Sequence, residues 1–317
     1  DRHAIHEPLK IAPVEIKFLL SGIGAGYGSW IHVPASALRV PGSRVTNCPN
    51  EYVARIRDIE VQPERTDLAT SRFVGFDIEV LCTERDDQGN LKFCNARRRG
   101  DAIINISAVV EEGGAMFNHT CFCLGETAPV DGVRVVECET EQELIAEFCR
   151  FVRDSDCIGL VSYNGVGFDL KYIYERACQP YVNAIGAMQM LHVFRDPGRE
   201  SNWFPHGPHL RVRKKGNATF FSFSGLFHID VCAWYRGSVI QLELYSLASV
   251  AQARLGEGKG KLEMPYAEIP RTYRSGPAGR ARIAAYCVAD SVLTGELYQR
   301  ENLLKSFAAN SVTFCTD

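Results

Sequence analysis

Four acidic residues at three well-separated places constrain the fold of this chain more than any other feature. Asp77 and Glu79 lie in the run Phe-Asp-Ile-Glu, Asp169 ends the run Tyr-Asn-Gly-Val-Gly-Phe-Asp, and Asp290 ends the run Tyr-Cys-Val-Ala-Asp. Acids this far apart in sequence meet only in a fold that returns the chain to one point. Four such carboxylates, with Tyr286 beside the last, have the composition of a two-metal phosphodiesterase site.

The first pair of acids lies in a predicted β-strand over residues 73–81. Apolar residues occupy positions 74, 76, 78 and 80 and alternate with the others. Side chains two apart in a strand point the same way, so Asp77 and Glu79 share a face, roughly 6.5–7 Å apart. Two acids opposite a fully apolar face are costly unless a cation compensates them. The alternative is an exposed acidic strand face.

The other acids begin or lie within predicted helices. Asp169 follows an apolar strand predicted at 158–163 and begins a helix predicted at 169–178. It therefore lies at the carboxyl end of a strand, where α/β domains build sites, although a helix-capping acid is an equal alternative. Tyr286 and Asp290 are four residues apart, so a helix brings them to one face. Alone, they could be an ordinary amphipathic pair.

The combination of residues matches the chemistry of phosphodiester hydrolysis. That reaction needs a deprotonated water, neutralisation of the leaving oxygen and a phosphate held in line, and two divalent ions supply all three. Hard oxygen ligands suit Mg²⁺ or Mn²⁺. Tyr286 could orient the attacking water without adding charge. The sequence therefore predicts two divalent cations as cofactors.

The order of predicted elements indicates an α/β domain with a mixed sheet flanked by helices, as in RNase H-like folds. A capping box at 140–143 starts the first helix of this region. A stretch rich in Pro, Glu, Arg and Thr at 62–72 separates this region from a β-rich amino-terminal part. The other predicted elements are strands at 14–20, 30–34, 102–110 and 115–123, a hairpin at 209–223, and helices at 233–256 and 279–304.

Composition excludes several other classes of protein. The 12 cysteines include no Cys-x-x-Cys pair and fit no zinc-finger spacing, so we expect reduced core thiols in an intracellular protein. No apolar run approaches the roughly 18 residues of a membrane span. Residues 21–29 are glycine-rich but lack the dinucleotide-binding pattern, so we expect no organic cofactor. The formal net charge of −3 does not exclude nucleic acid, because a basic groove can lie beside an acidic metal site.

The three acidic runs resemble, in the same order, the three exonuclease motifs of the 3′–5′ proofreading domain of family B DNA polymerases. Residues 241–256 resemble the family's helix "L-x-x-Y-x-L-x-x-V-A", and residues 227–230 resemble the strand ending in Asp that precedes it. Residues 16–34 resemble the amino-terminal domain of delta-type and large-virus polymerases. The resemblance covers nearly the whole chain.

The resemblance implies a role for each residue of the constellation. Asp77 would bridge both metals, and Glu79 and Asp290 would hold the metal that binds the nucleophilic water. Asp169 would face the second metal. Tyr286 would position the water, which makes this the tyrosine subtype (DEDDy) of the site.

Expected contacts with DNA come from two further regions. By resemblance, Asn164 and Phe168 would contact or stack against the last nucleotides of a frayed primer strand. The hairpin near 209–223 corresponds in position to the family's strand-separating hairpin and carries Arg211, Arg213 and Lys214. A solvated hairpin face is the alternative for these basic residues.

The resemblance also predicts the division of the chain. Residues 1–72 would be a partial amino-terminal domain, 73–305 the exonuclease domain, and 306–317 the start of the connection to a polymerase region. No polymerase motif occurs, so we do not expect the fragment to polymerise, although its parent resembles a DNA-directed DNA polymerase acting in replication. Expected partners are single-stranded and primer–template DNA, the polymerase domain and replication accessory proteins, with no membrane. We expect a nuclear location if the parent is a cellular delta-type or nuclear-replicating viral enzyme.

Two rival functions remain open from the sequence. One is a catalytically weak module that holds DNA or docks a partner, although all five catalytic positions are filled. The other is a free-standing RNA-processing nuclease of the same two-metal class, which the amino-terminal resemblance opposes.

Overall fold

The chain divides into two compact units, of residues 71–192 with 209–301, and of residues 1–70, 193–208 and 302–317. The structure is a computed structural model. It describes residues 22–24, 29–42, 51–65, 67, 71–189, 191, 210–215, 218–223, 226–256 and 264–306.

The strands and helices are numbered along the chain over the described residues. The strands are β1 (Ile31–His32), β2 (Glu60–Val61), β3 (Arg72–Val80), β4 (Ile103–Glu112), β5 (Ala115–Leu124), β6 (Arg134–Cys138), β7 (Gly159–Ser162), β8 (Leu210–Lys215), β9 (Ala218–Phe223) and β10 (Phe227–Asp230). The helices are α1 (Glu141–Asp154), α2 (Asp169–Ala177), α3 (Ile185–Gln189), α4 (Val231–Gly237), α5 (Leu247–Leu255), α6 (Ile269–Arg274) and α7 (Pro277–Arg300).

The unit of residues 71–192 and 209–301 is built on a six-stranded mixed sheet of order β10-β7-β3-β4-β5-β6. Strand β3 pairs in parallel with β7 and antiparallel with β4, and β7 pairs in parallel with β10. The carboxyl ends of the parallel strands β3, β7 and β10 therefore lie on the same side of the sheet, which we call an edge of the sheet. The predicted fold class, a mixed sheet flanked by helices, is confirmed.

Helices cover both faces of this sheet. On one face, the ring of Phe76 lies 5.5 Å from that of Phe148 in α1. On the other, helix α7 packs across β3, β4 and β5, and Phe73 meets Tyr298 at 5.2 Å. Strand β3 is thus buried from both sides, with only Arg72 and Asp77 partly exposed. An exposed acidic strand face, the alternative left open by the sequence, is excluded.

Several element boundaries differ from the predictions. The helix predicted over 233–256 is two helices, because Gly237 ends α4 and the Ser246 side chain accepts the Ser249 N–H at 3.2 Å to begin α5. Helix α7 ends at Arg300 instead of 304. The hairpin is confirmed as β8 paired antiparallel with β9.

Helix α1 begins where the capping box predicts. The Thr140 side chain accepts the N–H of Glu143 at 3.1 Å. The carboxylate of Glu143 accepts the N–H of Glu139 at 2.8 Å, one residue before the expected donor. The first of these bonds satisfies an amide that a helix start leaves without an intrahelical partner.

The other unit contains a small antiparallel pair. Ile31 pairs with Val61 and His32 with Glu60, so the strand predicted at 30–34 is shortened to β1. The strand predicted at 14–20 lies outside the described residues.

The described cysteines and helices bear on two expectations from composition. Ten cysteines in the described residues carry free thiols, and all but Cys178 are buried. None of the helices in the described ranges combines the length and apolar character needed to cross a membrane.

A buried ion pair fixes helix α2 against the sheet layer. The Arg176 side chain is 1% exposed, and its Nε donates to Glu141 Oε1 at 2.7 Å. The same guanidinium donates to the carbonyls of Ala96 (3.0 Å) and Arg98 (2.8 Å), while Glu141 Oε1 also accepts the Ile103 N–H at 2.9 Å. The guanidinium has a side-chain partner and backbone partners in fixed places, so the carboxyl end of α2 is fixed as well.

We expect Arg176→Ala to lower the free energy of unfolding by about 3–5 kcal/mol, because it leaves Glu141 buried without its cation. Urea denaturation would measure the change. The matched control is Arg150→Ala on α1, which removes an exposed pair with Glu147 and should cost at most about 1 kcal/mol. Equal losses in the two variants would contradict the role of the buried pair.

Candidate active site

Strand β3 brings the first two acids beneath helix α7. The Cys287 thiol donates to the backbone carbonyl of Asp77 at 3.5 Å and lies 3.7 Å from its Oδ2. Behind it, the Ser107 hydroxyl donates to the Cys287 carbonyl at 2.9 Å and lies 2.6 Å from the Ser291 hydroxyl. Glu79 is only 8% exposed. The helix is thus held to the strand at the level of the acids.

The same helix supplies Tyr286 and Asp290. Both are buried, and their four-residue spacing places them on one face of α7. The Tyr286 ring packs in a cluster with Ile104 and Ile283. Because neither side chain faces solvent, Tyr286 and Asp290 are not an ordinary amphipathic pair.

Asp169 joins the site from helix α2. Its carboxylate interacts with the backbone of Ile78, the residue between the two acids of β3, and with its own backbone. Asp169 is the first residue of α2, and the capping position belongs to Phe168. The acid therefore turns to β3 instead of serving as an ordinary helix cap.

The electrostatics of the site follow from this convergence. Burial raises the pKa of Asp77 well above its usual range, and Cys287, Asp169, Asp290 and Glu79 raise it further. The pKa of Asp169 is raised to about 7, first by burial and then by repulsion from Asp230 and, less strongly, from Asp290. Asp77 and Asp169 thus each sense acids from distant parts of the chain, and the four sequence-predicted acids come together at one site.

The donors of this site fit a divalent cation. The ligand atoms of Asp77, Glu79 and Cys287 all lie within 4.8 Å of one another. Several carboxylates held together in a low-dielectric place repel one another, and a hard cation relieves that repulsion. The carboxylate oxygens suit Mg²⁺ or Mn²⁺.

An exposed aromatic group extends from the site at Phe168. The ring of Phe93, 70% exposed, lies 5.6 Å from that of Phe168 and stacks on Tyr266 at 6.2 Å. The Tyr266 hydroxyl donates to the Lys92 carbonyl at 2.9 Å. Sequence reasoning missed Phe93 and Tyr266, since neither lies in an acidic run. Asn164, which it did single out, is exposed and has a φ of 63°.

The hairpin carries the predicted basic residues on β8. Arg213 is exposed and pairs across the hairpin with Phe220, which is also exposed. The side chains of Arg211 and Lys214 lie outside the described part of the structure. Phe220 was not predicted as a contact. The hairpin packs on α2, where the Phe221 ring meets Tyr174 at 5.5 Å.

The fold and site together define a class of protein. A mixed sheet between helical layers, with acids from β3, α2 and α7 meeting at one place, suits the chemistry of a nuclease domain. The sequence profile described as "DNA polymerase family B, exonuclease domain" matches residues 25–250. The chain therefore belongs to family B of the DNA polymerases, through its exonuclease domain.

Individual relatives match 78–93% of the chain. The chain is 31% identical over 258 residues to the DNA polymerase catalytic subunit of human herpesvirus 8 type P, covering 79% of this chain and 24% of that protein. Identity to the equine herpesvirus 2 subunit is 32% over 256 residues (78% and 23%). For elephantid herpesvirus 1 it is 30% over 302 residues (93% and 27%). The chain thus spans about a quarter of these relatives.

We expect Asp169→Asn to raise the melting temperature of the metal-free chain at pH 8 by a few degrees. The folded-state pKa of Asp169 is about 7, against an ordinary 3.8. Its contribution to stability is therefore fully present below about pH 4 and is lost as the pH rises through 7. The advantage of Asn should shrink as the pH falls from 8 to 5, measured by calorimetry in EDTA.

The control for this experiment is Asp154→Asn, which changes an exposed acid and should leave the melting temperature nearly unchanged. Mg²⁺ should stabilise the wild type more than Asp169→Asn, because a ligand that binds only the folded state stabilises it by mass action. A lower melting temperature for Asp169→Asn at pH 8 in EDTA would refute repulsion among the acids.

Proposed function

We propose that the chain is the 3′–5′ proofreading exonuclease of a DNA polymerase and removes the 3′-terminal nucleotide of single-stranded or frayed primer DNA. The observation that carries this proposal is the convergence of Asp77, Glu79, Asp169 and Asp290 at one place, where all but Asp77 are buried. Membership of the exonuclease-domain family supports the reaction class.

In the proposed mechanism, each residue of the site has a separate task. Two divalent cations would supply the charge that activates a water and neutralises the leaving oxygen. Asp77 would bridge them, Glu79 and Asp290 would hold the ion on the side of the attacking water, and Asp169 would face the other. The Tyr286 hydroxyl would orient the water, because a neutral phenol adds no negative charge to four acids.

The exposed aromatic group favours a single strand as the substrate. Bases stack on aromatic rings regardless of sequence, and each stack contributes about 1–3 kcal/mol to binding. Phe93, Phe168 and Tyr266 form such a surface, and Phe168 directly precedes Asp169 in the chain. A paired base would have to leave its duplex to reach it, so a frayed end is preferred over a matched one. Arg213 and Phe220 of the hairpin would contact the same strand.

The remaining proposals concern the parent protein. The relatives are named DNA polymerase catalytic subunits, so we infer that the parent is a DNA-directed DNA polymerase of replication. Its polymerase domain would deliver mismatched primer ends to this site, and accessory proteins would act through that larger chain. For a nuclear-replicating parent, the place of action would be the nucleus.

The double variant Asp77→Ala/Glu79→Ala should abolish the Mg²⁺-dependent shortening of an oligonucleotide that is labelled at its 5′ end. The two carboxylates would be ligands of the reacting ions, so their loss removes the chemistry and not only binding. Denaturing gel electrophoresis would follow the shortening. The control is Glu139→Ala/Asp154→Ala, which removes two exposed acids and should leave digestion unchanged.

Digestion at the wild-type rate by the Asp77/Glu79 variant would refute the proposed exonuclease site. A wild type that binds DNA but never shortens it would favour the rival DNA-holding module. Faster digestion of a matched RNA strand than of DNA would favour an RNA-processing nuclease.

Phe93→Ala should weaken binding of a single-stranded oligonucleotide about tenfold, the effect of one lost base stack. Fluorescence anisotropy would measure the dissociation constant. Phe227→Ala is the matched control, because Phe227 is 65% exposed but begins β10, at the opposite edge of the sheet from the acids. Equal effects of the two substitutions would contradict a specific stacking surface.

A further inference from the structure

A fifth carboxylate, outside the proposed metal site, lies at the same edge of the sheet. Asp230 ends strand β10 and is the register partner of Ser162, which ends the neighbouring parallel strand β7. The segment 163–168, which we call the motif loop, leaves β7 at this point and leads to Asp169. Asp230 is therefore next to the chain segment that connects the sheet to the acid of α2.

Both oxygens of the Asp230 carboxylate bind backbone amides. Oδ1 accepts the N–H of Asn164 at 3.0 Å, and Oδ2 accepts the N–H of Val166 at 3.0 Å. Oδ1 also accepts the N–H of Ala233 at 3.0 Å, which caps helix α4. A carboxylate that accepts several backbone amides makes charge-assisted bonds, which are stronger than neutral ones.

The motif loop has little room to move beneath these bonds. The Ser162 hydroxyl lies 2.8 Å from His228 Nε2, and a Cβ added at Gly165 would lie 2.2 Å from that hydroxyl oxygen. Asn164 adopts a φ of 63°, a left-handed conformation that Asn tolerates better than most residues. The lack of space at Gly165 and the left-handed conformation of Asn164 restrict the motif loop to one position. The Asp230 carboxylate provides a fixed partner for the loop in that position.

The motif loop is hydrogen-bonded to the start of helix α2, which carries Asp169. The Gly165 carbonyl accepts the N–H of Leu170 at 3.0 Å, in the first turn of α2. The Asn164 carbonyl accepts the N–H of Phe168 at 2.8 Å. A displaced loop would therefore move Asn164, Phe168 and Asp169 together.

We propose that Asp230 is a positioning residue of the exonuclease, which binds no metal and holds the motif loop so that Asn164, Phe168 and Asp169 face the terminal nucleotide. This inference rests on the proposed function. Beyond that function, we infer that a carboxylate at the end of β10 sets the geometry of a site to which it contributes no metal ligand.

The substitution Asp230→Asn separates loop anchoring from helix capping. Asn keeps one oxygen, which can still accept from Asn164 and Ala233, and Asn is as good a helix cap as Asp. Its amide group replaces Oδ2 and would meet the N–H of Val166, donor against donor. Asp230→Ala removes all three bonds. Thr140→Ala is the matched control, because it removes the cap of α1 and leaves the motif loop untouched.

Two measurements on the full chain test the proposal. In hydrogen–deuterium exchange, amides of the motif loop should exchange at least tenfold faster in Asp230→Asn, with α4 unchanged. In digestion of a single-stranded oligonucleotide with Mg²⁺, we expect kcat to fall at least tenfold and KM to rise, more so in Asp230→Ala. Thr140→Ala should lower the melting temperature but leave loop exchange, kcat and KM at wild-type values.

The outcomes separate this inference from the proposed function. Unchanged exchange of the motif loop in Asp230→Asn would overturn the anchoring role, whatever the activity. Faster exchange with wild-type kcat and KM would overturn the positioning role. A wild type without nuclease activity would refute the proposed function and with it positioning for catalysis, while the exchange result would still decide whether Asp230 holds the loop.

Discussion

The contact between helix α7 and strand β3 is the interaction on which the candidate site depends. The Cys287 thiol and the Ser107 hydroxyl join the helix to the strand at the level of Asp77. The helix thereby brings Tyr286 and Asp290 to acids that precede them by some 200 residues. Glu79, Asp169 and Asp290 are buried near this contact, and the low dielectric of a buried place strengthens the repulsion among the acids.

This repulsion must be balanced elsewhere in the unit. Helix α2 holds Asp169 in the site despite electrostatic repulsion from neighbouring carboxylates. Its position is fixed at both ends of the helix, by the buried pair of Arg176 and Glu141 and by the bonds of the motif loop to Asp230. Packing and hydrogen bonds outside the site thus offset a local cost that divalent cations would relieve.

The elements that were predicted well are those whose signal is local. Alternation of apolar residues placed Asp77 and Glu79 on one strand face, and the capping box at Thr140 marked the start of α1. Where two signals competed, prediction was poorer, as in the region 233–256, which Gly237 and Ser246 divide into two helices. Phe93 escaped notice because its importance lies in its exposure. Asp230 was noted only as the last residue of a strand, because its role lies in hydrogen bonds across strands.

By itself, the sequence determined which residue types are available and at what spacing: two acids on a strand, an acid at the start of a helix, and a tyrosine four residues before the last acid. Those spacings hold because strand and helix periods are local properties of the backbone. Only the tertiary structure decided that the acids meet, that β3 is buried on both faces, and that Asp230 binds the motif loop. Such contacts join residues far apart in the chain, and their existence depends on how strands pair and helices pack.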